Sequence, residues 1–132
     1  MKCLITGGAG FIGSHLTEQL LKDGHAVTVI DNFVIGRMSN LETLPNQENL
    51  RVEQLDIADH DAVAPHFQNV DWVFHLAAMA DIVPSIENPM IYHRSNVDGT
   101  ISVLEAARSN GVKRFIYTAS SSCYGIPDKF PT

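Results

Sequence analysis

Positive charge is scarce in this chain: 9 Lys and Arg stand against 15 Asp and Glu in 132 residues, a net charge of −6. With a pI near 5.3 and no local cluster of Lys or Arg, that balance argues against a nucleic-acid-binding or membrane-surface role. Long hydrophobic runs are also lacking. None approaches the roughly 20 residues of a membrane span. The apolar stretch after Lys2 is broken at Thr6-Gly7-Gly8, and no small-residue cleavage site follows, which argues against a signal peptide. Cysteine is nearly absent. Cys3 and Cys123 lie far apart, without metal-ligand spacing or a disulfide framework, and read as reduced thiols of a cytoplasmic protein. There is no internal repeat and no low-complexity tract. A chain of this length fits one domain with a real core.

What the chain does contain is a glycine turn set between a strand and a helix. Lys2 to Thr6 is a short apolar run, Gly7, Gly10 and Gly13 follow at intervals of three, and an amphipathic pattern marked by Ile12, Leu16 and Leu20 comes next. The first glycine allows a tight turn, the second lets backbone approach a pyrophosphate, and the third lets the helix lie close on the strand. The N-terminus of that helix presents unpaired N–H groups and partial positive charge to an anion. Such a turn signals dinucleotide binding when an acidic residue closes the next strand about 20 residues on. Asp31, at the end of Ala26-Val-Thr-Val-Ile30, meets that condition. It is either a solvated strand end or the acceptor for the adenosine ribose hydroxyls; in the second role its charge favours NAD over NADP, with Arg37 as the nearby counter-argument.

Strand-like and helix-like patterns alternate along the whole chain, which predicts an α/β fold: a doubly wound parallel sheet of about five strands, Rossmann-like, in the order 3-2-1-4-5. The first helix is expected over Phe11 to Lys22, ending at Asp23-Gly24. A short helical segment is expected at Leu41 to Leu44, and strands at Leu50 to Leu55, Val70 to Leu76 and Arg114 to Thr118. A short helix covers His60 to Phe67. A long helix runs from Pro89 through Arg108, with Ile91, Val97, Ile101 and Leu104 as a stripe that is mostly core. His15 and His25 read as helix-surface and turn residues. Ala77 and Ala78, directly after the fourth strand, are small enough for a flat ligand to lie against backbone.

The spacing Gly-x-x-Gly-x-x-Gly resembles the short-chain dehydrogenase/reductase superfamily, and Thr6-Gly-Gly-Ala-Gly-Phe-Ile-Gly13 resembles its extended branch, the sugar-nucleotide epimerases and dehydratases. The resemblance implies a cofactor site made by Gly7, Gly10, Phe11, Ile12, Gly13, Asp31 and Asn32. Asp56 and Ile57 would lie beside the adenine, although Asp56 also reads as an N-cap for the helix that follows. Leu76, Ala77 and Ala78 would lie under the cofactor, and Asn96 resembles the helix asparagine that supports the active-site strand. The run Ser120-Ser-Ser-Cys-Tyr-Gly125 resembles the branch's serine motif and makes Ser120 the catalytic hydroxyl, with Ser121 the neighbour most easily confused with it. No metal site is implied.

Family dehydratases and decarboxylases carry Asp-Glu or a single Glu at the places that are Ser121 and Ser122 here, and serine cannot do their acid–base work. The epimerases are therefore the better match. The superfamily's Tyr-x-x-x-Lys pair does not occur in this sequence: four residues after Tyr92, Tyr117 and Tyr124 stand Asn96, Ser121 and Asp128. The resemblance thus implies an incomplete dinucleotide-binding domain over residues 1–132, the NAD-binding half of an enzyme similar to UDP-glucose 4-epimerase. The sixth strand and the substrate-binding half are expected outside this chain, so the half is expected to be inactive alone. In the complete enzyme a nucleotide sugar is the substrate and a homodimer the assembly. Another enzyme of the branch (dehydratase, decarboxylase or reductase) and a non-catalytic dinucleotide-binding sensor are the alternatives.

Overall fold

Five short runs rich in β-branched and aromatic residues pair into one sheet: β1 (Lys2–Thr6), β2 (Ala26–Asp31), β3 (Leu50–Gln54), β4 (Trp72–His75) and β5 (Arg114–Tyr117). The structure, a computed structural model, describes residues 1–120, 124–126 and 129. The strand order is β3-β2-β1-β4-β5 and every pairing is parallel. This is the order expected. Thr6, the last residue of β1, lies opposite Ile30 on one side and His75 on the other.

Parallel pairing forces a crossover after each strand, and the crossovers cover both faces. They include α1 (Phe11–Lys22), α2 (His60–Val63), which continues as a 3-10 turn over Ala64–Phe67, α3 (Ile82–Glu87), α4 (Pro89–His93) and α5 (Gly99–Ser109). Successive side chains of β1 point to opposite faces. Leu4 joins Ile30, Phe67, Val73 and Val103 in one core, while Cys3 and Ile5 join Leu21, Val27 and Val29 in the other. The result is a doubly wound, Rossmann-like sheet. Helix α1 stops where expected: the N–H of Asp23 reaches Gln19 O, and Gly24 takes φ +76° as the left-handed residue that ends the helix.

One helical stripe differs from the expected one. Ile91, Val97, Ile101 and Leu104 are 56, 42, 61 and 46% exposed, so they are surface and not core. The inward face of this stretch is Tyr92, Gly99, Ser102, Val103, Ala106 and Ala107. Small residues let the helix approach the sheet closely, and a periodicity weighted toward large apolar side chains selects the opposite face. A π turn over Arg94–Asp98 joins α4 to α5 and shifts the phase between Ile91 and Val97. In α1 only Ile12 leaves its expected stripe, at 62% exposed; Leu20 is buried and Leu16 packs against the second core, with Gly13, Ser14, Thr17 and Leu21 buried beside them.

The expected helix at Leu41 to Leu44 is instead a 3-10 turn over Met38–Asn40 followed by the buried side chain of Leu41. Helix α3 has no counterpart in the periodicity. Pro84 sits in its first turn, where the missing N–H breaks no helical bond.

Candidate functional site

The sheet reverses its direction of build-out between β1 and β4, and the carboxyl ends of these two strands open the crevice in which α/β sheets bind ligands. Gly7 turns the chain at φ +72°, and a Cβ there would lie 2.7 Å from the backbone N of Ala77. Only a residue without a side chain lets the two strand ends meet so closely. At Gly13 a Cβ would stand 2.7 Å from Gly8 Cα, so α1 lies directly against the turn. Gly10 differs: a Cβ there would meet only Gly7 O, at 3.3 Å, and otherwise enter the crevice.

That crevice is a cleft of about 290 Å³. Gly7, Gly10, Asp31, Asn32, Asp56, Ile57, Leu76, Ala77 and Ala78 all line it, so nine residues singled out from the sequence come together. Phe11 and Ile12 lie outside its lining, with side chains 80 and 62% exposed at the start of α1. Gly13 lies beneath the turn, and no side chain caps the helix at Gly10. The first N–H groups of α1 therefore have no acceptor within the helix and face the same end of the sheet as the cleft.

Asp31 is only 7% exposed. One carboxylate oxygen accepts from Ala9 N–H at 3.0 Å and the other from Phe33 N–H at 2.9 Å. A carboxylate has about four acceptor positions, so two remain for a ligand. The loop after β2 is held against the turn by Arg37 N–H and the Asn40 side-chain amide, both donating to Ala9 O. The Arg37 side chain is exposed and absent from the cleft lining. Asp56 does not cap α2, because Asp59 does, accepting from Ala62 N–H at 3.2 Å. Asp56 instead accepts from Ala58 N–H and from Arg94.

A second cleft of about 310 Å³ opens on the other side of Ala77–Met79. Ser120 lines it, with Tyr117, Thr118 and Asn96. Asn96, in the middle of the π turn, holds Met79 from both sides: Met79 N–H donates to its side-chain oxygen at 2.8 Å, and its amide donates to Met79 O at 2.9 Å. Asn96 thus ties down the segment that separates the clefts and is not in the lining of the first. Ser121, Ser122 and Cys123 lie outside the described residues.

Sequence reasoning passed over His75. Its ring is 2% exposed in the middle of the sheet. Thr100 donates its hydroxyl to Asn96 O at 2.7 Å, so it accepts from His75 Nε2–H at 3.0 Å. His75 Nδ1 must then accept the Thr6 hydroxyl, at 2.6 Å, and Thr6 in turn accepts from Ala77 N–H at 3.4 Å. These partners assign a neutral ring protonated at Nε2. Burial holds its pKa down at about 4, from 6.5. The available signal was a lone histidine in an apolar strand opposite a threonine in register.

Among the described residues, no group of three or more His, Cys, Asp or Glu side chains is gathered as a metal site, and no helix is long and apolar enough to cross a membrane. Cys3 is buried and free.

The GDP-mannose 4,6 dehydratase family model matches residues 4–132. The zebrafish (Danio rerio) UDP-glucuronic acid decarboxylase 1 is 41% identical over 130 residues, 98% of this chain and 30% of the relative. The UDP-glucose 4-epimerase of Mycolicibacterium smegmatis is 39% identical over all of this chain and 43% of its own length. Among solved structures, the Thermotoga maritima UDP-glucose 4-epimerase with UDP-glucose superposes at a TM-score of 0.91, with 35% identity over 100% of this chain and 42% of that one. The Bifidobacterium longum UDP-glucose 4-epimerase in complex with NAD+ and UDP gives 0.91 at 30% identity, over 100% and 41%. The chain therefore spans less than half the length of the proteins it matches. With the glycine turn, the strand order and a family match over nearly every residue, the chain belongs to the GDP-mannose 4,6 dehydratase family, within the extended short-chain dehydrogenase/reductase superfamily.

Proposed function

We propose that this chain is the NAD-binding half of a nucleotide-sugar 4-epimerase. The observation that carries the NAD assignment is that Gly10, the N-cap of α1, and Asp31 line one cleft. The pyrophosphate would lie at Gly10 and the first N–H groups of α1, including those of Phe11 and Ile12. Asp31 and Asn32 would take the adenosine ribose, and Asp56 with Ile57 the adenine. Leu76, Ala77 and Ala78 would form the floor under the middle of the dinucleotide.

NAD, when bound, supplies a reversible acceptor for the hydride on the sugar's C4. Ser120 would hydrogen-bond the sugar 4-hydroxyl and assist its deprotonation, passing the proton toward a tyrosine supplied outside this chain. Ser121 is the neighbouring candidate for that role. Asn96 acts indirectly, by fixing Met79 between the two clefts. Epimerisation is favoured over decarboxylation or dehydration by the serines at 121 and 122, where those reactions need acids. This reading places the protein in the cytoplasm. It also gives the exposed Val97, Ile101 and Leu104 to a second copy of the chain, since a two-fold contact closes one such patch on its own equivalent, while Ile91, of the same expected stripe, lines the first cleft.

Titration calorimetry with NAD tests the cofactor, and no binding at millimolar cofactor refutes it. The reaction is tested by incubating the protein at its natural length with UDP-galactose or UDP-N-acetylgalactosamine and following the sugar by NMR. Appearance of the 4-epimer supports the proposal. Carbon dioxide release from a UDP-uronic acid without epimer formation would replace it with the decarboxylase reading.

A further inference from the structure

We propose that Arg94 is a positioning residue for recognition of the adenine base, acting through Asp56; the inference rests on the NAD-binding reading. Asp56 lies just beyond β3, and Arg94 begins the π turn after α4, 38 residues later in the chain. Both line the first cleft. Ala58 N–H donates to Asp56 Oδ1 at 2.9 Å, and Arg94 Nη2 donates to Oδ2 at 3.0 Å. With one oxygen held by Ala58 and the other by Arg94, rotation of the carboxylate about its bond to Cβ is restrained. Its remaining acceptor positions are then fixed in direction.

Gly99 lets the helix lie close to Ile57, the residue next to Asp56: a Cβ there would lie 2.6 Å from Ile57 Cδ1. Arg94 and Asp56 are 57 and 40% exposed, and pairs this open contribute little to folding. Orientation of the carboxylate is the better account of the pair. A fixed carboxylate acceptor suits a base that donates an exocyclic amino group, as adenine does. A base with a carbonyl at that position, such as hypoxanthine, turns a lone pair toward it. The guanidinium also offsets the carboxylate charge beside a cofactor that is itself anionic.

The test measures NAD and nicotinamide hypoxanthine dinucleotide by titration calorimetry on wild type, Arg94→Ala and Arg94→Lys. Wild type should prefer NAD about tenfold. Arg94→Ala should weaken NAD about tenfold and shrink the preference to about threefold or less, with the melting temperature unchanged. Arg94→Lys should recover part of both. An Arg94→Ala chain that keeps the wild-type affinity and preference overturns the inference, as does one that weakens both dinucleotides equally while melting earlier. Wild type that binds NAD without preference also overturns it. Wild type that binds neither dinucleotide overturns the NAD-binding reading itself.

Discussion

Acidification should weaken this fold through His75 in particular. The ring is neutral and buried, with Thr6 donating to Nδ1 and Nε2 donating to Thr100. A second proton at Nδ1 would displace the Thr6 hydroxyl hydrogen from its acceptor inside the sheet. The folded pKa is about 4 against 6.5 in the unfolded chain, so between those values the unfolded state binds the proton and the folded state does not. Stability is therefore unaffected by this group above 6.5 and falls as pH drops, by about 1.4 kcal/mol per unit. The loss levels off below 4, at about 3 kcal/mol in all, a large part of a typical domain's roughly 5–15. Urea unfolding at about pH 7 and about pH 5, on wild type and His75→Gln, isolates the group from the other histidines. Glutamine offers one donor and one acceptor but cannot titrate. Wild type should lose about 2 kcal/mol more than the variant over that interval. Equal losses would refute the argument. An NMR titration of the His75 ring reads the same pKa directly if the variant fails to fold, and a midpoint near 6.5 would refute it too.

Other outcomes follow from the first cleft and the helix surface. Gly10→Val should abolish NAD binding while leaving the circular dichroism spectrum unchanged, because the new side chain enters the cleft and meets little but Gly7 O; surviving affinity would mean the pyrophosphate lies elsewhere. NAD should bind at least about tenfold more tightly than NADP, about 1.4 kcal/mol by calorimetry, since Asp31, the proposed ribose acceptor, lines the cleft and the Arg37 side chain does not. Equal affinities would point to Arg37. Light scattering at micromolar concentration should find a dimer that Ile101→Glu converts to a monomer, the change placing a charge in the middle of the exposed stripe; a wild-type monomer would remove the proposed role of that face.

The parts of this molecule legible in the sequence are those whose signals are local. The glycine turn, the acid at the end of β2 and the alternation of strands and helices lie within short windows, and the strand order follows from the crossover rules. The inward face of α5 is less legible, because Gly99, Ser102 and Ala106 bury by being small. Hydrophobicity does not report that. The Thr6–His75–Thr100 chain and the Asp56–Arg94 pair join residues from separate elements, and neither partner announces the other until the topology is known. The motif makes Asn96 a support of the active-site strand, whereas its two side-chain bonds go to Met79, in the segment after β4.

Asp31 carries a consequence for anyone who would change this chain's cofactor preference. The same carboxylate proposed to take the ribose holds Ala9 in the glycine turn and Phe33 in the following loop, where the backbone takes φ +60°. Replacing it with a small neutral residue to admit a phosphate would leave two backbone donors without their acceptor, one of them buried. The turn that grips the pyrophosphate would loosen along with the ribose contact. Selectivity and architecture are joined in one side chain here, so retargeting would demand a new latch for Ala9 before any gain in the second cofactor could be seen.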